Sequence, residues 1–527
     1  MEILLADSLT WVYPDRLDAV SGSSTFVLDV PQNGVASVNV ILKNIEDRGT
    51  VRFHGESLNE KINWNISLFR LHDVAVERNT GAVGFCERED QPNQYVTRKA
   101  PFRVYDAMEP MSKAAFVAEK ENMVLQIRIP VPVNCKCGTY DIVLYFNQDA
   151  ATLRLQVYPV SLVPCGKDSF FYTNWYSAGN LVARHNLEKD SAAYFKILKK
   201  YAEQMYQARQ NTFLIPLSTI FTYAPEKNEF ILNRSKLKKI VKIFTDAGLY
   251  YIEGGHFGCR TGGWVSPFEV VMSHHGVESM EANRDIASMA SQLMQEIQKN
   301  GWQDRYIQHV ADEPIPQNAA SFRILAGIIR KYMPGIPLID AMSDPEIAGA
   351  VNIWCPQIQR YENHQQDFEE TRQQGDSIWL YTCCFPGGQY LNRLLDGELL
   401  RPVLLGWGCA YYRIDGFLHW GFNYYKATQN PFEENCPDHG GGNHLPPGDT
   451  HIVYPGKNGP WPSVRLEAQR TGIEDLELLR ILQKKNPSVA DSILSTMFRK
   501  FNDYTTDLTT YRACRKRILE ALTATCK

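Results

Sequence analysis

After Lys167 the chain repeats one unit of grammar, a short apolar segment that reads as a strand followed by a stretch with helical periodicity. The unit recurs eight times over roughly 310 residues, a length suited to a (β/α)8 barrel of the TIM type with loop insertions. The predicted barrel strands are Phe170–Trp175, Thr212–Pro216, Tyr250–His256, Tyr306–Asp312, Pro337–Ala341, Asn352–Cys355, Ile378–Cys383 and Gly416–Asn423. Helices are predicted over Ser191–Arg209, Ser235–Ala247, Asn283–Lys299, Asn318–Lys331, Gln357–Gln374 and Leu391–Tyr411, with a short one near Pro345–Ala350. A Gly, Pro and His-rich insertion, Tyr424 to Pro462, follows strand eight and precedes a last barrel helix at Val464–Lys485. The barrel is thus expected over 166–485, with a helical C-terminal extension over 486–527.

Residues 1–165 have a different texture, with short alternating or apolar runs cut by turn signals and almost no helical period. Seven candidate strands (Thr25–Val30, Ser37–Leu42, Val51–Phe53, Asn65–Phe69, Val124–Ile129, Thr139–Phe146 and Thr152–Val157) predict an all-β sandwich of immunoglobulin-like type. The stretch from Pro159 to Lys167 reads as the boundary.

Composition narrows the function classes. With 55 Lys+Arg against 59 Asp+Glu and 44% hydrophobic residues, the chain is neither disordered nor a basic nucleic-acid binder. No apolar run approaches the ~20 residues of a membrane span, so no membrane insertion is expected. The start, MEILLADSLTWVYPD, lacks a basic and apolar leader pattern. The expectation is a cytoplasmic protein, or an exported one whose leader is absent from this chain. Twelve scattered cysteines read as free thiols rather than a disulfide scaffold. Aromatic residues reach 11%, many beside Gly, Asn or Pro at the ends of apolar segments, as in clefts that stack a ring against the apolar face of a sugar.

In such barrels chemistry sits at the C-terminal ends of the strands. Strand four ends in Asp312-Glu313-Pro314, two adjacent carboxylates at the barrel mouth, where repulsion and burial raise at least one pKa toward what a general acid needs. An N-cap for the next helix is the competing explanation. Glycosidases with a protein nucleophile or base place two carboxyls on opposite sides of the sugar, about 5–9.5 Å apart, and sequence neighbours are poorly placed to do so. They suit another division of labour: Glu313 protonates the leaving oxygen while Asp312 orients and charge-stabilises a 2-acetamido group that attacks its own anomeric carbon.

That strand end, with Gly416-Phe-Leu-His-Trp420-Gly-Phe-Asn423, Pro447-Gly-Asp449-Thr450, Tyr454-Pro-Gly456, Ser463-Val-Arg465-Leu-Glu467 and Gly472-Ile-Glu474-Asp475, resembles the family 123 glycoside hydrolases. The resemblance covers about Phe170 to Lys485 and implies an exo-acting β-N-acetylgalactosaminidase, with an N-terminal β-sandwich before its barrel. It implies Asp312 as the acetamido-assisting carboxylate, Glu313 as acid/base, and a terminal β-linked GalNAc substrate such as glycosphingolipid glycans carry. No cofactor is implied. Other hexosaminidase specificities, or a catalytically silent carbohydrate-binding barrel, are the alternatives.

Further strand-end candidates for substrate binding are Trp175, His256, Trp354, Tyr381, Trp420 and Asn423, with Asn174 and Tyr176 beside the first. His256 is a candidate partner for a sugar hydroxyl. Tyr381 is a candidate donor to the acetamido carbonyl, Trp354 a candidate wall for the acetamido methyl and Trp420 a candidate stacking ring. Trp407 reads as packing, and Arg465 with Glu467 as a structural ion pair. The Cys436 to His451 loop holds metal-ligand types at no familiar zinc spacing, so no metal is expected there.

Overall fold

The computed structural model describes residues 1–45, 49–58, 64–111, 115–118 and 120–525. Its N-terminal part stacks two sheets. One orders Glu2–Asp7, Val35–Lys43, Met123–Pro130, Ser67–Val76 and Phe102–Pro110; the other orders Thr25–Gln32, Asp149–Ser161, Gly138–Phe146 and Phe53–Ser57. Pairing is antiparallel except between Thr25–Gln32 and Asp149–Ser161. Alternation explains the layering: Val38, Val40 and Leu42 meet Leu144, Leu153 and Leu155 between the sheets, whereas Ile41, Phe69, Leu71 and Val104 join the barrel's core. Of the strands in these two sheets, Glu2–Asp7 and Phe102–Pro110 lie outside the seven predicted from sequence.

The second part is an eight-stranded, all-parallel barrel sheet. Its strands are β1 (Phe171–Asn174), β2 (Thr212–Ile215), β3 (Tyr251–Gly254), β4 (Tyr306–His309), β5 (Leu338–Asp340), β6 (Ile353–Trp354), β7 (Ser377–Thr382) and β8 (Gly416–His419). Regular pairing runs from β1 through β8 back round to β2, leaving one seam between β1 and β2. Asn211 sews that seam. Its side-chain oxygen accepts from Tyr172 N (3.0 Å), its amide N donates to Tyr172 O (3.3 Å), and its Nδ2 donates to Gly166 O (2.9 Å). Its carbonyl receives the amides of Tyr250 and Tyr251 at the head of β3. Asn211→Ala is expected to destabilise the protein by about 1–3 kcal/mol, because buried backbone groups lose partners that water cannot replace. Urea unfolding of the two proteins measures this, and an unchanged midpoint would remove Asn211 from the closure.

Capping explains where several helices begin: the side chains of Ser191, Asn233, Ser279 and Ser463 accept backbone amides at the starts of Ala192–Gln207, Arg234–Asp246, Met280–Asn300 and Val464–Lys485. The remaining barrel helices are Ala319–Tyr332, the pair Ile358–Asn363 and Gln365–Gln373, and Leu400–Tyr411. The predicted Pro345–Ala350 element is a single 3-10 turn, Pro345–Ile347. Pro487–Met497 and Leu508–Ala524 form the C-terminal appendage. Residues 526 and 527, the end of the predicted extension, lie outside the described residues.

Three expectations are corrected. The helix expected over Leu391–Tyr411 begins only at Leu400. The preceding segment is drawn across the barrel: the buried Arg393 guanidinium donates to Asn174 Oδ1 (2.5 Å) and His419 Nδ1 (2.7 Å), and Asn392 Nδ2 donates to Cys383 O (2.9 Å). Strands four and eight stop at His309 and His419, so Asp312-Glu313 and Trp420 to Asn423 belong to the loops beyond. Arg465 and Glu467 do not pair with each other, since residues two apart on a helix point away from one another. Arg465 pairs with Asp106 (3.0 Å), and Glu467 with Arg470 (3.1 Å) and Arg128 (3.3 Å).

Candidate active site

The barrel interior is filled by alternate residues of successive strands: Ile307, Ile339, Ile353, Trp379, Tyr381 and Leu418, with Trp175 and Cys383 against them. Above it the loop after β4 carries the acidic pair. Glu313 has φ +46, in the left-handed region that a non-glycine residue occupies at a cost of about 1–3 kcal/mol. Two contacts hold it there: Arg260 Nη1 donates to its carbonyl oxygen (3.1 Å), and the Tyr381 hydroxyl of β7 donates to Oε1.

Burial and the neighbouring Asp312 charge raise the Glu313 carboxyl to about 7, against the opposing pull of the Tyr381 hydroxyl and Arg260. Asp312 is exposed at the surface of the mouth, yet the surrounding protein crowds its carboxyl. That crowding, and the negative Asp340 nearby, hold its carboxyl above the usual aspartate range, with Arg260 and His309 pulling the other way. A pair so coupled titrates as a unit.

Beneath the pair lies a hydrogen-bonded floor. Buried Glu253, at the end of β3, accepts from Thr173 Oγ1 (2.8 Å) and Trp175 Nε1 (2.9 Å) and bonds His309 Nε2 (2.5 Å). Burial alone would push the His309 pKa down; the bond to Glu253 outweighs it and raises it. Asp340, at the end of β5, accepts from the amides of Ala311 (2.6 Å) and Ala341 (2.8 Å) and so fixes the backbone that leads into Asp312. The rings of Trp175, His256 and His309 pack against one another, with His256 5.1 Å from Trp175 and 4.6 Å from His309. His256 is held neutral by burial and the adjacent His309, and its Nε2 has no hydrogen-bond partner within the protein.

The structure therefore brings Asp312, Glu313, Tyr381, Trp175 and His256 together at one mouth. Trp420 stands at the rim after β8, partly exposed, with its ring 5.2 Å from Tyr424. Two candidates fall elsewhere. Trp354 is the outward residue of β6: fully buried among the helices, it packs on Phe368 at 5.8 Å and donates to Asp376 Oδ2 (2.8 Å). Asn423 is buried and commits both amide atoms to the backbone of Ser177, at 2.8 and 3.2 Å, where it secures the start of helix Ala178–Arg184. Asn174 serves Arg393 and Gln210 under the floor, Tyr176 packs on Phe244, and Trp407 donates to buried Asp475. Glu253, His309, Asp340 and Arg260 are not among the residues singled out from sequence; the one available signal is a charged residue at the end of an apolar barrel strand, as in Tyr-Ile-Glu253 and Leu-Ile-Asp340.

The ligand types of the Cys436 to His451 loop do not converge: Cys436 Sγ contacts Arg78 O, His444 contacts Cys436 O, and His451 is buried beside Thr450.

Tyr381→Phe removes a hydrogen bond that favours the ionised form of Glu313, so the Glu313 pKa rises. If protonated Glu313 is the active acid, the basic limb of the pH–rate profile should move to higher pH. A profile with an unmoved basic limb would separate Tyr381 from the titration of Glu313.

Paired carboxylates at a barrel mouth, over an aromatic floor, are the arrangement a glycoside hydrolase uses on a carbohydrate. Residues 267–482 match the family model described as glycoside hydrolase 123, catalytic domain, a span that contains Asp312, Glu313, Tyr381 and Trp420. That match assigns the barrel to the glycoside hydrolases, with family 123 as the catalytic domain that residues 267–482 resemble. In fold it is similar over 99% of its length to 97% of a family 123 glycoside hydrolase from Clostridium perfringens, with TM-score 0.70 and 12% identity, a structure described for glycolipid glycan hydrolysis. The exo-β-1,4-mannosidase Op5Man5 from Opitutaceae bacterium strain TAV5 covers 59% of this chain and is covered over 60% of its own (13% identity, TM-score 0.37). For a Thermobacillus composti GH10 xylanase the figures are 58% and 97%, with 12% identity and TM-score 0.32. No curated protein matches the chain by sequence. No helix among the described residues is long and apolar enough to cross a membrane.

Proposed function

We propose that this protein is an exo-acting, retaining β-N-acetylgalactosaminidase that removes terminal β-linked GalNAc from glycans or glycosphingolipid-type oligosaccharides by substrate-assisted catalysis. The observation that carries the reading is the adjacency of Asp312 and Glu313 on one loop, with the other carboxylates of the floor already engaged: Glu253 by Thr173, Trp175 and His309, Asp340 by two backbone amides. A sugar lying against this loop meets both working carboxylates on one side, which favours an internal nucleophile over a protein one.

In the first step Glu313 gives its proton to the glycosidic oxygen, the C1–O bond breaks, and the acetamido carbonyl oxygen bonds to C1. Asp312 stabilises the positive charge that develops on the amide and accepts its proton, leaving a neutral oxazoline. In the second step Glu313 accepts a proton from water, whose oxygen bonds to C1 as the C1–O bond of the oxazoline breaks, and Asp312 returns its proton to the amide nitrogen. Two inversions give net retention. The raised pKa of Glu313 supports its role as acid near neutral pH. The Tyr381 hydroxyl, which bonds Glu313 in the free protein, is our candidate donor to the acetamido carbonyl. The glycolipid glycan hydrolysis described for the Clostridium perfringens structure agrees with a glycosphingolipid-type substrate.

Aryl glycosides differing only at C2 and C4 test the reading. The 2-acetamido galactoside should be cleaved, the 2-hydroxy galactoside should not, and equal turnover of the two would contradict it. The unpartnered Nε2 of His256 is our candidate for the axial 4-hydroxyl. Losing that bond should cost the galacto substrate ~1–3 kcal/mol, so His256→Phe is expected to narrow a preference over the gluco epimer by about tenfold or more in kcat/KM. A ratio unchanged in His256→Phe would place C4 recognition elsewhere, and equal rates on both epimers in the unaltered protein would indicate a broad hexosaminidase.

A further inference from the structure

We propose that Cys259, Glu269 and His274, on the hairpin after β3, form a three-ligand site for a zinc-class divalent cation. The fold itself assembles it. Gly258–Cys259 pairs antiparallel with Glu269–Val270, and the register sets Cys259 opposite Glu269. The chain then doubles back through Met272 (φ 72) and His274 (φ 59), where the His274 amide donates to Val270 O (2.9 Å).

That turn delivers the imidazole to the cross-strand pair. His274 Nδ1 lies 3.6 Å from Cys259 Sγ and 3.7 Å from Glu269 Oε2, and the three donor atoms all fall within 4.8 Å of one another. A tetrahedral zinc ion with bonds of about 2.3 Å to sulfur and 2.0–2.1 Å to nitrogen or oxygen separates its ligand atoms by roughly 3.3–3.6 Å. The two separations from His274 Nδ1 are close to those of two edges of such a tetrahedron, and the third lies within 4.8 Å.

The donor set, one thiol, one imidazole and one carboxylate, is the mixture that borderline-soft zinc accepts and that magnesium or calcium does not. The thiol has no strong competing partner, its other contact being Val270 O at 3.9 Å. The carboxylate is steadied from outside by Thr261 Oγ1, at 3.0 and 2.8 Å from its two oxygens, as ligating carboxylates commonly are. His274 is exposed and the other two half-buried, so a fourth position faces water. Among the described residues, this is the one group of three such side chains within ligand reach of a common point.

The hairpin also carries Arg260, whose guanidinium donates to the Glu313 carbonyl (3.1 Å) and lies over the rings of Trp264 and Phe268. A cation there would brace this arm of the mouth without touching the reacting sugar, a positioning role.

The test uses the full chain, stripped with a chelator and desalted, then titrated with Zn²⁺ against a chromogenic chelator and with Co²⁺ by absorption. One equivalent of Zn²⁺ and a thiolate-to-cobalt charge-transfer band are expected. Cys259→Ser should abolish the band, and His274→Ala, an exposed change that leaves folding intact, should weaken Zn²⁺ binding by more than about tenfold. Binding well below one equivalent, a cobalt spectrum without the thiolate band, or a stoichiometry and affinity that His274→Ala leaves unchanged would each overturn the site.

Discussion

Glu313→Gln is expected to lower turnover by about 10²–10⁴, the range in which a positioned general acid contributes. The substitution keeps the side chain's shape and leaves an acceptor for the Tyr381 hydroxyl, so it tests the proton rather than the packing. Two further signatures separate a lost acid from a damaged fold. The deficit should shrink as the leaving group improves, because an activated aryl alcohol departs without a proton. The basic limb set by the Glu313 carboxyl, which burial and Asp312 raise to about 7, should vanish from the profile. A Glu313→Gln protein that cleaves poor and good leaving groups at the original rates would remove Glu313 from the chemistry.

Asp312→Asn is expected to cost about 10²–10³ in turnover, the scale on which one preorganised electrostatic partner of a developing charge contributes. The pH dependence gives the sign of a second effect. Asp312, when ionised, raises the Glu313 pKa; neutralising it lets that pKa fall, so the residual activity should lose its basic limb at a lower pH than in the unaltered protein. The acid limb, reporting an Asp312 carboxyl held above the usual aspartate range, should disappear. Initial rates across pH for both proteins supply the comparison, and an unshifted basic limb would show that the two carboxylates do not act as a coupled pair.

Much of this architecture is legible in the sequence because it depends on local patterns. Eight strand and helix alternations announce the barrel, and a carboxylate pair that follows an apolar run and precedes Pro314 announces the mouth. What escapes is decided by register and by distant partners. Ile353 faces the barrel interior and Trp354 the helices, a one-residue difference that no composition reveals in a two-residue strand. Asn423 reads as a strand-end ligand, yet its amide is matched to the Ser177 backbone, 246 positions away. Glu253 and His309 look like ordinary polar residues in separate strands until the barrel sets them 2.5 Å apart. The segment leading to Leu400 has helical composition, but the buried needs of Asn174 and His419 hold Arg393 in a non-helical stretch instead.

The central claim is that the substrate's own acetamido oxygen attacks C1, and a series of aryl 2-deoxy-2-amido-β-galactosides bearing acetyl, fluoroacetyl, difluoroacetyl and trifluoroacetyl groups tests it most directly. Each fluorine withdraws electron density from that oxygen while changing the group's size little. Single-turnover rates should therefore fall stepwise along the series, and an oxazoline-mimicking thiazoline should inhibit because the site is complementary to the cyclised state. Rates that stay flat from acetyl to trifluoroacetyl would contradict the account and assign the attack on C1 to a group of the protein.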